Sequence, residues 1–258
     1  AQETNNIKKI RDVFMKNGLY IVSTPIGNLG DISSRAIKTL GESDIIICEN
    51  PKHSLKLLSK LGIKKKLISL HDYNEISVIQ RLVNVLPNKK LVLISDAGSP
   101  LISDPGFKLI RHCIKNNIQL TSIPGPSSII PALQLSGIAI NEFYFAGFVP
   151  KSKNNMVEFV NKIKVMGKTT VSFISSHKLK LFLEVLEKKI NDRAISVSKE
   201  LTKINEKTFR GNVYEVIDQI NEQKEGLKGE FVIVVEGNPS KKTTSVNLNE
   251  YDSEIQKL

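Results

Sequence analysis

The chain has 258 residues, with 40% hydrophobic, 24% charged, a net charge of +11 and 2 cysteines. This composition is typical of a globular protein large enough for two domains, and no apolar run approaches the roughly 18 residues that a membrane span requires. Because residues 1–17 also lack the apolar core of a signal peptide, we expect a cytoplasmic protein in which Cys48 and Cys113 are buried free thiols.

The first half of the chain alternates short apolar runs with segments of helical spacing. Strands are predicted at residues 19–24, 44–48, 67–70, 91–94 and 119–123. Helices are predicted between them, with Asp31 or Ser33 as one N-cap and Ser103 or Asp104 as another, followed by Pro105 at the first helical position. This alternation predicts a parallel sheet covered on both faces, hence an α/β domain over residues 18–137.

A second α/β domain is predicted over residues 138–237. Residues 137–152 are interpreted as the crossover between the domains, and strands are expected at 169–174, 194–197, 208–210 and 231–235. Residues 1–17 form an N-terminal extension in this scheme, and residues 238–258 form a polar, loose tail.

Three loops of small residues follow predicted strands of the first domain, at residues 24–28, 95–106 and 124–128. The carboxyl ends of parallel strands meet at one sheet edge, where ligands of open α/β sheets bind. Gly98 permits close approach of the backbone to a ligand, and Asp96 offers a charge or an acceptor. These loops predict a crevice for a polar small molecule held largely by backbone groups; the alternative is an ordinary set of strand–helix turns.

Several common catalytic motifs are missing from the sequence. No Gly-x-Gly-x-x-Gly follows the first strand, and neither a phosphate-binding Gly-Lys-Ser/Thr loop nor a Gly-x-Ser-x-Gly elbow occurs. The four histidines, which lack metal-ligand spacing, are interpreted as structural or surface residues, so no metal site is predicted: His53, His71, His112 and His177. The positive net charge favours a nucleic-acid partner over the alternative of a solvated surface rich in lysine.

Four motifs carry a family resemblance: Leu19-Tyr-Ile-Val-Ser-Thr-Pro-Ile-Gly-Asn-Leu29, Ser95-Asp-Ala-Gly-Ser-Pro-Leu-Ile-Ser-Asp-Pro-Gly106, Ile123-Pro-Gly-Pro-Ser127 and Lys199-Glu-Leu-Thr-Lys203. In this order, and over residues 19–237, the chain resembles the bacterial 16S ribosomal RNA (cytidine-2'-O)-methyltransferases of the tetrapyrrole methylase-like superfamily. The resemblance implies two α/β domains of the tetrapyrrole methylase type, with S-adenosylmethionine (AdoMet) bound in a cleft between them. It also implies a homodimer that acts on the rRNA of the small ribosomal subunit.

The resemblance further implies a set of cofactor-binding residues, supported in the second domain by Gly229 and Glu230. They are Pro25, Asp96, Ala97, Gly98, Ser99, Ile102, Ser127, Ser128, Ile174, Ser175, Leu201 and Thr202. A neutral 2'-hydroxyl is a poor nucleophile, so a base or a neighbouring cation is expected to assist the transfer. Glu49, Glu200 and Lys203 are the catalytic candidates; Glu200 and Lys203 could instead simply form a salt bridge.

Two stretches depart from the family pattern. Glu49-Asn50-Pro51-Lys52-His53 replaces Glu-Asp-Thr-Arg-His, and Ser175-Ser176-His177 shortens Glu-Ser-Pro-His. A lysine cannot reproduce the bidentate contact of an arginine. The departures leave two alternatives open beside the RNA methyltransferase: a methyltransferase of the same fold acting on a tetrapyrrole or other small molecule, and a non-catalytic ribosome-binding protein.

Overall fold

The computed structural model describes residues 15–223 and 227–241. Apart from residues 15–17 and 238–241, the predicted N-terminal extension and polar tail lie outside this range. Two compact units divide between Ser127 and Ser128, whereas the sequence interpretation placed the division between residues 137 and 138. Within the described range, no helix is long and apolar enough to cross a membrane.

The first unit contains a five-stranded sheet in the order β3-β2-β4-β1-β5, with every neighbouring pair parallel. Its strands are β1 Gly18–Val22, β2 Ile45–Cys48, β3 Lys66–Ser69, β4 Lys90–Leu93 and β5 Leu120–Ile123. The predicted parallel sheet is therefore confirmed. All five strands end at the same edge, which sets the three small-residue loops side by side.

The apolar runs of this sheet are continuous because both of its faces are buried. Along β4, Leu91 and Leu93 pack into one core cluster, while Val92 and the following Ile94 pack into the cluster on the opposite face. Cys113 and Cys48 lie in these two clusters, and both are buried free thiols as predicted.

Four helices accompany the first sheet: α1 Ser34–Glu42, α2 Pro51–Lys60, α3 Glu75–Leu82 and α4 Phe107–Lys115. The predicted cap of α1 is confirmed, since the Ser33 side chain accepts a hydrogen bond from the Ala36 N–H. The predicted start of α4 is wrong: the N-cap is Gly106, at φ 126°, rather than Ser103 or Asp104. Ser103 has a left-handed φ of 66° and Asp104 is hydrogen bonded to Ser95, so neither side chain caps this helix.

The second unit contains a mixed sheet in the order β6-β7-β10-β8-β9, in which β6 and β7 are parallel and the other pairs antiparallel. Its strands are β6 Phe143–Phe148, β7 Thr169–Ser175, β8 Ala194–Lys199, β9 Lys207–Asn212 and β10 Glu230–Val235. Its helices are α5 Ile129–Gln134, α6 Lys153–Val165, α7 Ser176–Ile190 and α8 Val213–Asn221. One buried apolar cluster, which includes Phe182 and Phe209, forms its core.

Two features of the second unit differ from the sequence interpretation. The segment interpreted as a crossover contains β6, whose Phe145 and Phe148 contact Phe173 of β7 edge to face, with ring centroids 5.0 and 5.2 Å apart. Helix α5 packs against β7, β8 and β10, which explains why the division between the units precedes it.

Candidate active site

The loop after β4 is anchored to the end of β1 by backbone hydrogen bonds. Thr24 N–H donates to the Gly98 carbonyl at 2.9 Å, and Gly98 N–H donates to the Thr24 carbonyl at 3.0 Å. The Thr24 hydroxyl, which is fully buried, donates to the Ser95 carbonyl at 3.3 Å. The two loops therefore form one short antiparallel bridge that fixes the backbone of residues 97–99.

The loop after β5 joins the same assembly through Ser99. The Ser99 hydroxyl lies 3.0 Å from the Ser23 hydroxyl and donates to the Pro126 carbonyl at 3.2 Å. Gly98 has a left-handed φ of 79°, and a Cβ there would approach Ile26 Cγ2 to 3.3 Å. The structure thus brings together the three small-residue loops of the first unit, and a glycine is required where they meet.

The carboxyl groups of Glu49, Asp96 and Asp104 lie close enough to influence one another at the edge of the sheet where these loops meet. Asp96 Oδ1 accepts a hydrogen bond from the Asn50 N–H at 3.2 Å, which ties the β4 loop to the end of β2. The pKa of Glu49 is raised mainly by partial burial and, to a smaller extent, by the negative charges of Asp96 and Asp72. The nearby His71 acts in the opposite direction and lowers the pKa of Glu49. Burial, with smaller contributions from Glu49 and Asp96, raises the pKa of Asp104 to about 6.

Asp104 was not a candidate in the sequence interpretation, although it belongs to one of the quoted motifs. It reaches the cluster because the chain between Pro100 and Gly106 turns back sharply. Leu101 and Ser103 have φ values of 73° and 66°, which non-glycine residues rarely adopt. Ile102 lies between them and is 42% exposed. Only the repeated aspartate of the motif could have drawn attention to this position.

The departure at Asn50 preserves a local structural role. The Asn50 side-chain oxygen accepts hydrogen bonds from the N–H groups of Lys52 and His53, at 3.1 and 3.3 Å, and so caps α2. Asparagine and aspartate are about equally good N-caps, and Pro51 occupies the favoured first position. The replacement therefore keeps the helix start and removes one negative charge from a region already rich in carboxylates.

In the second unit, the loop after β8 carries the other candidates. Leu201 is 6% exposed, and the Thr202 hydroxyl is buried with no hydrogen-bond partner among the described residues. Glu200 and Thr202 have left-handed φ values of 51° and 66°. Ile174 at the end of β7 is buried, and Ser175 caps α7 without a side-chain hydrogen bond.

Glu200 and Lys203 form the salt bridge that the sequence left open. Lys203 Nζ lies 2.9 Å from Glu200 Oε1 and 2.8 Å from Glu230 Oε2, and Glu200 Oε1 also accepts from the Glu230 N–H at 2.8 Å. Burial opposes ionisation of Glu200, but the hydrogen bonds from Glu230 and Lys203 outweigh it and lower the pKa of the carboxyl. A Cβ at Gly229 would lie 2.7 Å from Glu200 Cγ, so a glycine is needed beside this ion pair.

The predicted site residues thus fall into two groups, each assembled within its own unit. The first unit holds Glu49, Pro25, Asp96, Ala97, Gly98, Ser99, Ile102 and Ser127. The second holds Glu200, Lys203, Ser128, Ile174, Ser175, Leu201 and Thr202. No group of three or more histidine, cysteine, aspartate or glutamate side chains suited to a metal occurs in the part of the chain that the structure describes.

A family model described as tetrapyrrole (corrin/porphyrin) methylases matches residues 18–217. Three similar relatives bear the name ribosomal RNA small subunit methyltransferase I. That of Haemophilus influenzae is 40% identical over 86% of this chain and 79% of its own length. That of Thermotoga maritima is 39% identical over 85% of this chain and 98% of its own length. That of Halalkalibacterium halodurans is 38% identical over 88% of this chain and 78% of its own length.

Solved structures with the same fold are more distant in sequence. A diphthine synthase matches with a TM-score of 0.63 at 15% identity, covering 84% of this chain and 89% of its own. The uroporphyrin-III-C-methyltransferase of Thermus thermophilus matches with a TM-score of 0.56 at 17% identity, covering 86% of this chain and 94% of its own. The matches to solved structures establish the fold of the chain. The relatives at 38–40% identity show to which group of proteins with this fold it belongs. The chain belongs to the tetrapyrrole methylase family and, within it, to the group of relatives named ribosomal RNA small subunit methyltransferase I.

Proposed function

We propose that this protein is an AdoMet-dependent methyltransferase that methylates the ribose 2'-hydroxyl of a cytidine in small-subunit (16S) ribosomal RNA. The observation that carries the proposal is the assembly of the β1, β4 and β5 loops around Gly98, beside the carboxyl groups of Glu49, Asp96 and Asp104. The names of the relatives at 38–40% identity support the choice of substrate.

The candidate residues fit AdoMet in charge and in shape. AdoMet carries a positive sulfonium, and the crowded carboxyl groups, with the raised pKa values of Glu49 and Asp104, form a site that a nearby cation would stabilise. The absence of a side chain at Gly98 lets the β4 loop pack closely against Ile26 and Pro126, and the neighbouring Ala97 is exposed to a ligand. In the second unit, the buried Thr202 hydroxyl offers an unused hydrogen-bonding group. We assign the cofactor to these two groups of residues.

When bound, AdoMet supplies an electrophilic methyl group. The protein's part is to hold the ribose hydroxyl in line with the methyl carbon and the sulfur, and to accept the hydroxyl proton. Glu49 is suited to the second task, since its raised pKa makes it a better proton acceptor than an ordinary glutamate. The proposed role of Glu200 and Lys203 is to hold the β8 loop in place through their ion pair.

The net charge of +11 agrees with an RNA substrate, because neutralising phosphates with lysine and arginine provides affinity that does not depend on sequence. We also propose, from the family resemblance, a cytoplasmic homodimer. Light scattering of the purified chain would give twice the monomer mass if the dimer forms, and the mass of one chain if it does not.

The direct test is to incubate the protein with methyl-labelled AdoMet and small ribosomal subunits lacking the 2'-O-methyl group, and then map the label. Label on one cytidine ribose oxygen would support the proposal. No label, with AdoMet binding retained in calorimetry, would indicate a different substrate, such as a small molecule. Loss of both transfer and AdoMet binding would instead favour a ribosome-binding protein without activity, provided that RNA binding is retained.

A further inference from the structure

The starts of helices α3 and α4 carry a group of exposed apolar side chains. Phe107, the first residue of α4, is 71% exposed, and Tyr73 and Ile76, which flank the first residue of α3, are 99% and 60% exposed. A single exposed apolar side chain is common on protein surfaces, whereas a group of them usually marks a place where another molecule binds. These side chains therefore point to a partner rather than to the core of the unit.

A buried hydrogen bond holds the two helix starts side by side. The Glu75 side chain is buried, and its Oε1 atom accepts from the Leu109 N–H at 2.8 Å. This carboxylate satisfies an N–H group in the first turn of α4, which the N-cap Gly106 cannot do because it has no side chain. Tyr73 lies two residues before Glu75, and Phe107 lies two residues before Leu109. The bond thus places the two aromatic residues on neighbouring parts of one surface.

The rest of the exposed side of α4 is positively charged. Lys108, Arg111 and Lys115 are exposed, and their spacing of three and four residues puts them on one side of the helix. The helix contains no aspartate or glutamate, and in the described part of the chain none of these three cations pairs with a carboxylate. Helix α7, by contrast, mixes glutamates with its lysines. The charge on α4 is thus available to an anionic partner.

Helix α4 also begins where the candidate site of the first unit ends. Its N-cap, Gly106, is the last residue of the β4 loop, which carries Asp96, Gly98 and Asp104. An RNA strand that presents a ribose to this loop has to continue over the adjacent surface. Aromatic rings stack on the bases of single-stranded RNA, while lysine and arginine neutralise its phosphates. Both kinds of side chain occur on what we call the α4 face, formed by Tyr73, Ile76, Phe107, Lys108, Arg111 and Lys115.

We propose that the α4 face binds a single-stranded segment of the substrate RNA, with the two aromatic rings stacking on bases and the three cations contacting phosphates. This inference rests on the proposed function and names the surface of the first unit that receives the RNA. A second copy of this chain is the other candidate for an apolar surface. In a twofold contact, however, the same cations would face each other, and their repulsion favours a polyanion as the occupant.

The first test measures the affinity of Phe107→Ala for small ribosomal subunits that lack the 2'-O-methyl group. Loss of one stacked base should lower the affinity about 5-fold or more, equivalent to roughly 1 kcal/mol, without changing its salt dependence. Phe107→Tyr should bind as the wild type does, because a phenol ring also stacks. Tyr214→Ala is the matched control, since Tyr214 is an exposed aromatic residue on α8, where the charged residues Glu215 and Asp218 are acidic. It should bind normally.

The second test changes charge instead of stacking. Arg111→Gln should weaken binding and reduce the slope of log affinity against log salt concentration by about 1, because one phosphate contact is lost. Lys188→Gln, at an exposed position on α7, should leave the slope unchanged. Calorimetry should give wild-type AdoMet affinity for all of these variants, and circular dichroism should show that they are folded.

The outcomes separate this inference from the proposed function. Unchanged RNA affinity in both Phe107→Ala and Arg111→Gln, with a wild type that binds and methylates the subunits, would overturn the inference alone. A lowered AdoMet affinity would overturn it too, as would a mass in light scattering that falls from two chains to one, which would make the α4 face a contact between copies. A wild type that binds the subunits without methylating them would overturn the proposed function, while the same losses of binding would still support the α4 face. A wild type that does neither would overturn both.

Discussion

Glu49 and Glu200 each directly follow a strand, but their surroundings shift the pKa of the two carboxyl groups in opposite directions. Glu49 in the first unit stands among Asp96, Asp72 and Asp104, and its pKa is raised. Glu200 in the second unit binds Lys203 and the Glu230 N–H, and its pKa is lowered. Residue type alone therefore does not assign a role, because the neighbours decide whether a carboxyl takes up a proton or holds a structure together.

The two units also build their loops differently. The β4 loop is held by backbone and hydroxyl hydrogen bonds from Thr24 and Ser99, so its charged groups remain available to a ligand. The β8 loop is held by charged groups, because Glu200 and Lys203 of the loop pair with each other and Lys203 also binds Glu230 of β10. We therefore expect variants that break the hydrogen bonds of the β4 loop to weaken ligand binding. Variants that break the ion pairs of the β8 loop should instead lower stability.

The largest expected effect is on AdoMet binding in Gly98→Val. A valine would force a branched side chain into a left-handed backbone position and against Ile26. We expect AdoMet affinity to fall by about 100-fold or more, equivalent to roughly 2.7 kcal/mol, while circular dichroism shows a folded protein. Gly62→Val is the matched control, since Gly62 has a φ of 70° but no atom within 4 Å of its Cβ position. Equal affinities in the two variants would remove the β4 loop from the cofactor site.

A smaller effect is expected for the pH dependence of stability in Asp104→Asn. The pKa of Asp104 in the folded protein is about 6, above its ordinary value of 3.8, so the folded state binds more protons between these values. The contribution of Asp104 to stability is therefore present at low pH and lost as the pH rises through 6. Asp104→Asn, which carries no charge, should gain roughly 1–2 kcal/mol relative to wild type between pH 4 and pH 8, after allowance for partial solvation.

Urea unfolding across this pH range measures the effect, and Asp31→Asn, an exposed position outside the carboxyl cluster, serves as the control. A difference between wild type and Asp104→Asn that stays constant with pH would show that the carboxyl titrates normally in the folded protein. Because the unfolding of two units need not be a single transition, the change is best followed with a probe in the first unit.

The sequence was sufficient to predict which loops form the candidate site in the first unit, because their grouping depends only on chain order and strand direction. Apolar runs alternating with helical segments predicted the parallel sheet, and parallel strands place the β1, β4 and β5 loops together. The path of the β4 loop was not predictable, since it depends on left-handed φ values at Leu101 and Ser103 that no local pattern indicates. For the same reason Asp104 was missed, since its place in the carboxyl cluster depends on the path of this loop.

The smallest expected effect is a loss of stability in Glu200→Gln, the second of the two glutamates. The pKa of Glu200 is lowered in the folded protein, so its contribution to stability is present above the ordinary glutamate pKa and disappears as the pH falls through the folded value. We expect Glu200→Gln to lose about 1 kcal/mol at pH 7, since the ion pair is only partly shielded from water, and to equal wild type in acid. Glu230→Gln is the matched control, because its side chain is 76% exposed and its effect should be smaller. A stability difference that grows on acidification would contradict the lowered pKa, and the two glutamates would then no longer differ in the way that their neighbours require.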